Sequence, residues 1–235
     1  MNEQSASASE IFAAVIQDYN RGIIIGSPST YGKGTAQATP PMGKMGDKTK
    51  GTPNISYGSL RLTQHQFYRV NGASTQLRGV RADVVLPGKL AYLKIREKDN
   101  STALAWDSIQ PAVYTEFNKA SVWKNILHLA KESVGQDEKF RIVDENSKLL
   151  AQNQLNPVSL NLDKFSKEQA KLSAFSRNID QAILLSEFKK NKVKGMLDQS
   201  ADPGNEWYTK WIDGLSADLY IDKSLDIVTK IIEVK

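Results

Sequence analysis

The stretch Gly22-Ile23-Ile24-Ile25-Gly26 sets the first limit on the fold. Three consecutive β-branched residues between glycines leave no polar face. Read as a strand, they must be covered on both sides. The segment before them, Ser5 to Tyr19, carries Ile11, Phe12, Val15, Ile16 and Tyr19 on one helical stripe. Ser7-x-x-Glu10 matches a capping box that opens this helix, and Asn20-Arg21-Gly22 closes it. A helix leading into a buried strand predicts an α/β core.

Composition narrows the classes. The chain has 235 residues, enough for one large domain or two small ones, and 40% are hydrophobic. Its 31 basic and 26 acidic residues are spread along the chain, so the net charge of +5 reads as a solvated surface rather than a nucleic-acid footprint. With no cysteine, disulfides and thiolate chemistry are excluded. No run approaches the roughly 20 apolar residues of a membrane span. The residues after Met1 are polar and do not read as a signal peptide.

Further along, residues 38–57 hold Pro40, Pro41, Pro53, glycines and lysines, which predicts a surface loop. Leu60 and Leu62, then Phe67, Tyr68 and Val70, read as two extended segments of a hairpin, with Asn71-Gly72 as a turn. Val80 to Leu86 reads as a strand stopped by Pro87-Gly88. Beyond residue 90, lysine and glutamate rise and glycine falls. Helices are predicted over Ala112–Val134 (core candidates Val113, Phe117, Val122, Trp123, Ile126, Leu127), Lys139–Gln152, Ser166–Met196 (core candidates including Ile179, Ile183, Leu184 and Phe188) and Asp218–Val234. The chain thus divides into an α/β region, 1–90, and a mainly helical domain, 91–235. His65 and His128 have no ligand-like neighbours and read as structural or exposed.

One motif invites a nucleotide reading. Gly26 and Gly32-Lys33-Gly34-Thr35 follow the strand as a phosphate-binding loop would. The spacing is one residue too long, Gly34 stands where a magnesium-binding Ser or Thr is required, and Pro40-Pro41 arrives before any helix. No nucleotide is expected.

A serine–lysine pair fits better. A serine hydroxyl attacks only when a neighbouring base takes its proton. A lysine serves as that base when desolvation brings its pKa from about 10.4 towards about 7 to 8. Ser7 at a helix start gains from the helix dipole, and the Ala8 N–H behind it is a natural oxyanion donor. Lys33 lies between two glycines just beyond the buried strand, and the amide oxygen of Gln37 can accept one of its hydrogens. The plainer reading of Ser7 is a helix cap, and of Lys33 a solvated loop lysine.

Three blocks in order then carry a family resemblance: Ser5 to Asp18, Tyr31 to Gln37, and Phe67-Tyr68-Arg69-Val70-Asn71-Gly72-Ala73-Ser74-Thr75-Gln76-Leu77-Arg78-Gly79-Val80. They resemble the carboxyl-terminal processing peptidases, or tail-specific proteases, and the region from about residue 91 resembles the C-terminal domain of the long branch of that family. The resemblance implies a partial ClpP/crotonase-like core and a serine endopeptidase without cofactor or metal. The nucleophile falls on Ser7, the base on Lys33, the residue orienting it on Gln37, and Ala8 N–H serves the oxyanion. Ser5 and Ser9 are structural neighbours. Substrates would be unfolded or C-terminally tagged polypeptides in the periplasm or cell envelope, with membrane attachment only through a preceding segment.

Asp18 matches another residue grouped with the family's site. It stands eleven helical residues from Ser7, about 16 Å along the axis, so it is expected to be a structural partner of Arg21. Ala73 stands where the family has a second glycine. The family's PDZ domain and first core strands are not in this sequence, so the chain is expected to be the C-terminal part of a protease. The alternative reading is a truncated, catalytically incompetent module that binds polypeptide or a partner.

Overall fold

A computed structural model describes residues 1–45, 55–119, 121–154, 156–186, 190–193 and 206–233. Helix α1 (Ala8–Asp18) forms where the periodicity puts it, but it is turned differently. Its buried residues are Glu10, Ala13 and Ala14, whereas Ile11, Phe12 and Val15 are 42%, 67% and 44% exposed. The two alanines let the helix lie close on Ile24 and Val80, with Ile16 at the edge of the contact. Polar side chains choose this face. Gln17 Nε2 donates to Asp83 Oδ1 at 2.8 Å, and Ile24 N–H donates to the other oxygen of that carboxylate at 2.8 Å.

The strands are β1 (Ile25–Gly26), β2 (Thr35–Ala38), β3 (Lys44–Met45), β4 (Ile55–Ser56), β5 (Leu62–Gln66) and β6 (Val84–Val85). β1 and β6 pair in parallel, Ile25 opposite Val84 and Gly26 opposite Val85. This short sheet is covered on both sides, as an all-apolar run requires. On one side lies α1. On the other, Ile23, Ile25, Val84 and Leu86 pack into a core with Trp123, Ile126, Phe140, Leu219 and Ile227 of the helical region. One core therefore spans residue 90.

β2 pairs antiparallel with β5, and β3 with β4, while Pro41 bridges Ser59. The expected 38–57 loop is thus a paired arm over its described part; residues 46–54 lie outside the described residues. The hairpin expectation is corrected as well, since Leu62–Gln66 pairs back with β2 rather than forward with Phe67–Val70. The Asn71-Gly72 turn stands. Gly72 has φ +84°, its N–H donates to Arg69 O at 2.9 Å, and Tyr68 bridges Ser74 across it.

The helical region comprises α2 (Ser121–Gly135), α3 (Glu138–Gln154), α4 (Leu162–Ala182), α5 (Glu206–Ser216) and α6 (Leu219–Glu233). Residues 112–119 are not helical. Ala112 N–H donates to Val70 O and Phe117 N–H to Tyr19 O, so this segment lies along the first region. Val113 and Phe117 are accordingly exposed, not core. The helix expected to run to Met196 stops at Ala182. Leu184 bridges Asp218, and Leu185 N–H donates to Ala217 O at 2.8 Å, so this stretch pairs with the α5–α6 junction. α5 was not anticipated. The side chain of Val122 and all of Phe188 lie outside the described residues.

Candidate active site

Ser7 is the residue before α1, with φ +55° and ψ −114°. That backbone region is strained for a residue with a Cβ and costs about 1–3 kcal/mol unless the surroundings hold it. The expected capping box is present, with Ser7 N–H donating to Glu10 Oε2 at 2.8 Å. The side chain is half-buried, and the Ala8 N–H behind it has no acceptor among the described residues. The Ser5 hydroxyl donates to Asn2 Oδ1 at 3.3 Å and its carbonyl accepts Tyr31 N–H at 2.9 Å; Ser9 is exposed.

The lysine loop lies against the same helix start. Glu10 is fully buried. Its Oε1 accepts Thr30 Oγ1–H at 2.5 Å and Gly32 N–H at 2.7 Å, and its Oε2 accepts Lys33 N–H at 2.9 Å. On the loop's other side, the buried Gln76 accepts Gly34 N–H at 2.9 Å through Oε1 and donates through Nε2 to Glu97 Oε1 and Leu104 O. Gly34 must be glycine, because a Cβ there would stand 2.6 Å from both Gln76 N and Ser74 Oγ. Thr30 completes the weave: its hydroxyl accepts Val80 N–H at 2.8 Å, and its N–H donates to Val80 O at 3.1 Å. Burial, with the Glu97 carboxylate beside it, pushes the Tyr31 phenol above its ordinary pKa.

The three motif blocks therefore converge on one loop. Ser7 and Lys33 are joined through their backbones to a single carboxylate oxygen. Among the described residues no hydrogen bond joins Ser7 Oγ to Lys33 Nζ. Gln37 sits in β2 opposite Thr63, just after a bulge at Ala36/Gln37; it is exposed and makes no side-chain bond to Lys33 among the described residues. Bulges re-aim the side chains beside them.

Asp18 is a structural partner, as its distance along the helix requires, but its partner is Arg69 and not Arg21. Arg69 Nε donates to Asp18 Oδ2 at 2.9 Å, Arg69 Nη2 also pairs with Asp18 Oδ1, and Nη2 reaches Gln17 Oε1 at 2.9 Å. The guanidinium offsets a carboxylate at the negative end of the helix dipole. Arg21 instead lies over the Phe117 ring, 4.5 Å from its centroid. His65 is exposed on β5, and His128 is exposed on α2, 3.7 Å from Glu132.

Sequence reasoning saw Glu10 only as a cap, passed over Thr30, and gave Arg69 and Gln76 no role beyond their place in the third block. The N3 position of Glu10 was a signal, but it pointed to a local bond, and the Phe67–Val80 block marked Arg69 and Gln76 without saying what they hold.

Comparison with known proteins bears on both regions. Residues 1–86 match the model of peptidase family S41, and residues 90–233 match that of the C-terminal domain of tail specific protease. A tail-specific protease of Haemophilus influenzae is 40% identical over 153 residues, which cover 63% of this chain and 21% of that protein. A carboxy-terminal-processing protease of Bartonella bacilliformis is 40% identical over 86 residues, 37% of this chain and 17% of that protein. A probable CtpA-like serine protease of Staphylococcus epidermidis is 27% identical over 154 residues, 60% of this chain and 28% of that protein. The chain spans about a fifth of the length of the first two.

Proposed function

The chain belongs to the tail-specific proteases of peptidase family S41, and from that membership we propose that its first region carries the Ser–Lys centre of a serine endopeptidase. The observation that carries this reading is Ser7 at a positive φ before α1, with an unpartnered Ala8 N–H directly after it. A nucleophile on such a turn presents its hydroxyl outward and places an amide donor beside the developing oxyanion.

In this mechanism Ser7 Oγ attacks the scissile carbonyl carbon while Lys33 Nζ takes the hydroxyl proton. The tetrahedral oxyanion is held by Ala8 N–H. As the C–N bond breaks, Lys33 returns the proton to the departing amine, leaving an ester on Ser7. Water then attacks the ester, giving its proton to Lys33, and collapse releases the acid as Ser7 Oγ regains a proton. Gln37 orients Lys33 once substrate closes the site. No cofactor enters the cycle.

We infer that the first region is part of a ClpP/crotonase-like core. Substrates are unfolded or C-terminally tagged polypeptides of the periplasm or cell envelope. No described helix is long and apolar enough to cross a membrane. A second reading, a polypeptide-binding module without turnover, is favoured by the missing hydrogen bond between Ser7 Oγ and Lys33 Nζ.

Cleavage of an unfolded protein by this chain, beside its Ser7→Ala and Lys33→Ala variants, separates the two. Turnover by the parent alone, with all three equally folded by circular dichroism, supports the Ser–Lys centre. Equal cleavage by parent and Ser7→Ala sinks Ser7 as nucleophile, and binding without cleavage by any of them establishes the second reading.

A further inference from the structure

Glu10 takes no part in the acid–base cycle, yet it is fully buried beside both of its members. A carboxylate has about four lone-pair positions. Here four donors occupy them, two on each oxygen: Ser7 N–H and Lys33 N–H on Oε2, Gly32 N–H and Thr30 Oγ1–H on Oε1. Capping α1 needs only the first of these bonds. The other three reach across 20 to 23 residues of sequence to the lysine loop.

Because Ser7 and Lys33 share one oxygen, their amide nitrogens lie no farther apart than two hydrogen-bond lengths laid end to end. The same bond that anchors the strained Ser7 backbone therefore anchors Lys33. Gln76 clamps the next amide, Gly34, so the lysine backbone has no freedom to follow a displaced Glu10.

Resting on the Ser–Lys reading, we propose that Glu10 is the positioning residue that sets the separation of nucleophile and base, through backbone bonds to both. It touches neither substrate nor reacting atoms. Its removal acts on the chemical step, since a misplacement of about 1 Å costs about 100-fold in rate.

The test compares parent, Glu10→Gln and Glu10→Asp. The amide of Glu10→Gln sets an NH₂ against two of the four donors. Glu10→Asp keeps the charge but is one methylene too short to hold Ser7 and the lysine loop together, and it serves if Glu10→Gln does not fold. Amide hydrogen exchange at Ser7 and Lys33 is read together with kcat and KM on an unfolded-protein substrate. The expected result is exchange at both amides faster by about tenfold or more, the rest of α1 unchanged, and kcat down about 100-fold at constant KM. Exchange that rises at Ser7 alone, or kcat retained in a folded variant, overturns the proposal. A parent without turnover defeats the Ser–Lys reading for this chain, while the exchange data still decide whether Glu10 holds the two backbones together.

Discussion

The two regions of this molecule are held together by different forces. From residue 1 to about 97, the buried side chains are largely polar: Glu3, Glu10, Ser27, Thr30, Thr35, Ser74, Thr75, Gln76 and Arg96. Three of them, Glu10, Thr30 and Gln76, bond to backbone in distant segments, and the regular strands are only two to five residues long. Beyond it, long helices close on Trp123, Ile126, Phe140, Val143, Ile179 and Ile227, and Ser147 and Ser216 are the polar residues buried among those described. Apolar packing is non-directional and forgives exchange of one shape for another of similar volume. A buried hydrogen bond has one geometry, and losing a partner costs the full desolvation of the other. On the proposed Ser–Lys reading, a region that holds reacting groups to fractions of an ångström gains from the second kind of construction.

The largest effect is expected in the helical region. Phe140 is almost fully buried, against Tyr220 at 5.8 Å between ring centroids and in one cluster with Val84. Phe140→Ala should cost about 3–5 kcal/mol in urea unfolding, and Phe140→Leu under about 1.5 kcal/mol. Because the cluster spans both regions, the Ile24 amide held by Asp83 should lose its exchange protection in the same transition. Separate transitions would show the two regions to be independent.

Next come changes to the polar weave. Gln76→Leu keeps the volume but strands Gly34 N–H, and Gly34→Ala forces a Cβ onto Gln76 N and Ser74 Oγ. Each should cost about 1–3 kcal/mol by thermal unfolding. A conservative swap of this size that proves harmless would break the contrast.

A smaller effect lies at alkaline pH. Burial, then the nearby Asp218 and Glu3 carboxylates, pushes the Tyr220 phenol up to about 12, against about 10 in the unfolded chain. The folded state keeps that proton longer, so this stability is intact below about pH 10 and is lost as the pH rises towards about 12. Tyr220→Phe also removes the bond to Pro87 O at 2.9 Å. Its melting temperature should fall less steeply than the parent's between those pH values.

The smallest effect sharpens the contrast from outside. Arg141 pairs with Glu138 and Glu145 on the exposed face of α3. Exposed pairs are screened and pay for ordering two long side chains, so Arg141→Ala should leave the urea midpoint unchanged.

Some of this was legible in the chain. Helical periodicity placed α1, α3 and α6 to within a few residues, and the Ile run required two covers. The spacing of Asp18 from Ser7 already put it out of reach of the serine. The paired arm was hidden by Pro40 and Pro41, which read as breakers; on an edge their carbonyls still accept, as Pro40 O does from Leu60 N–H. The stop at Ala182 and the extended path of 112–119 were hidden too, because both follow from bonds to distant backbone, which no local pattern encodes. α5 was overlooked although Trp207, Tyr208, Trp211, Ile212 and Leu215 recur at helical spacing; Trp207 and Trp211 stack on each other at the surface, 71% and 47% exposed.

What the sequence determined alone is the inventory and the local geometry: a serine opening a helix, a lysine between glycines, a carboxylate one turn in, and helices wherever apolar residues recur at helical spacing. These depend on neighbours within a turn or two. Only the tertiary structure decided that Glu10 bonds the lysine loop, that Gln76 clamps Gly34, that Asp18 belongs to Arg69, and that α1 buries alanines while its isoleucine, phenylalanine and valine face outward. Each of those choices sets a hydrogen bond or a close backbone approach between residues more than twenty positions apart in sequence against local apolar bulk. These polar contacts have one geometry each, and a donor or acceptor left unpaired in the interior costs about 1–3 kcal/mol.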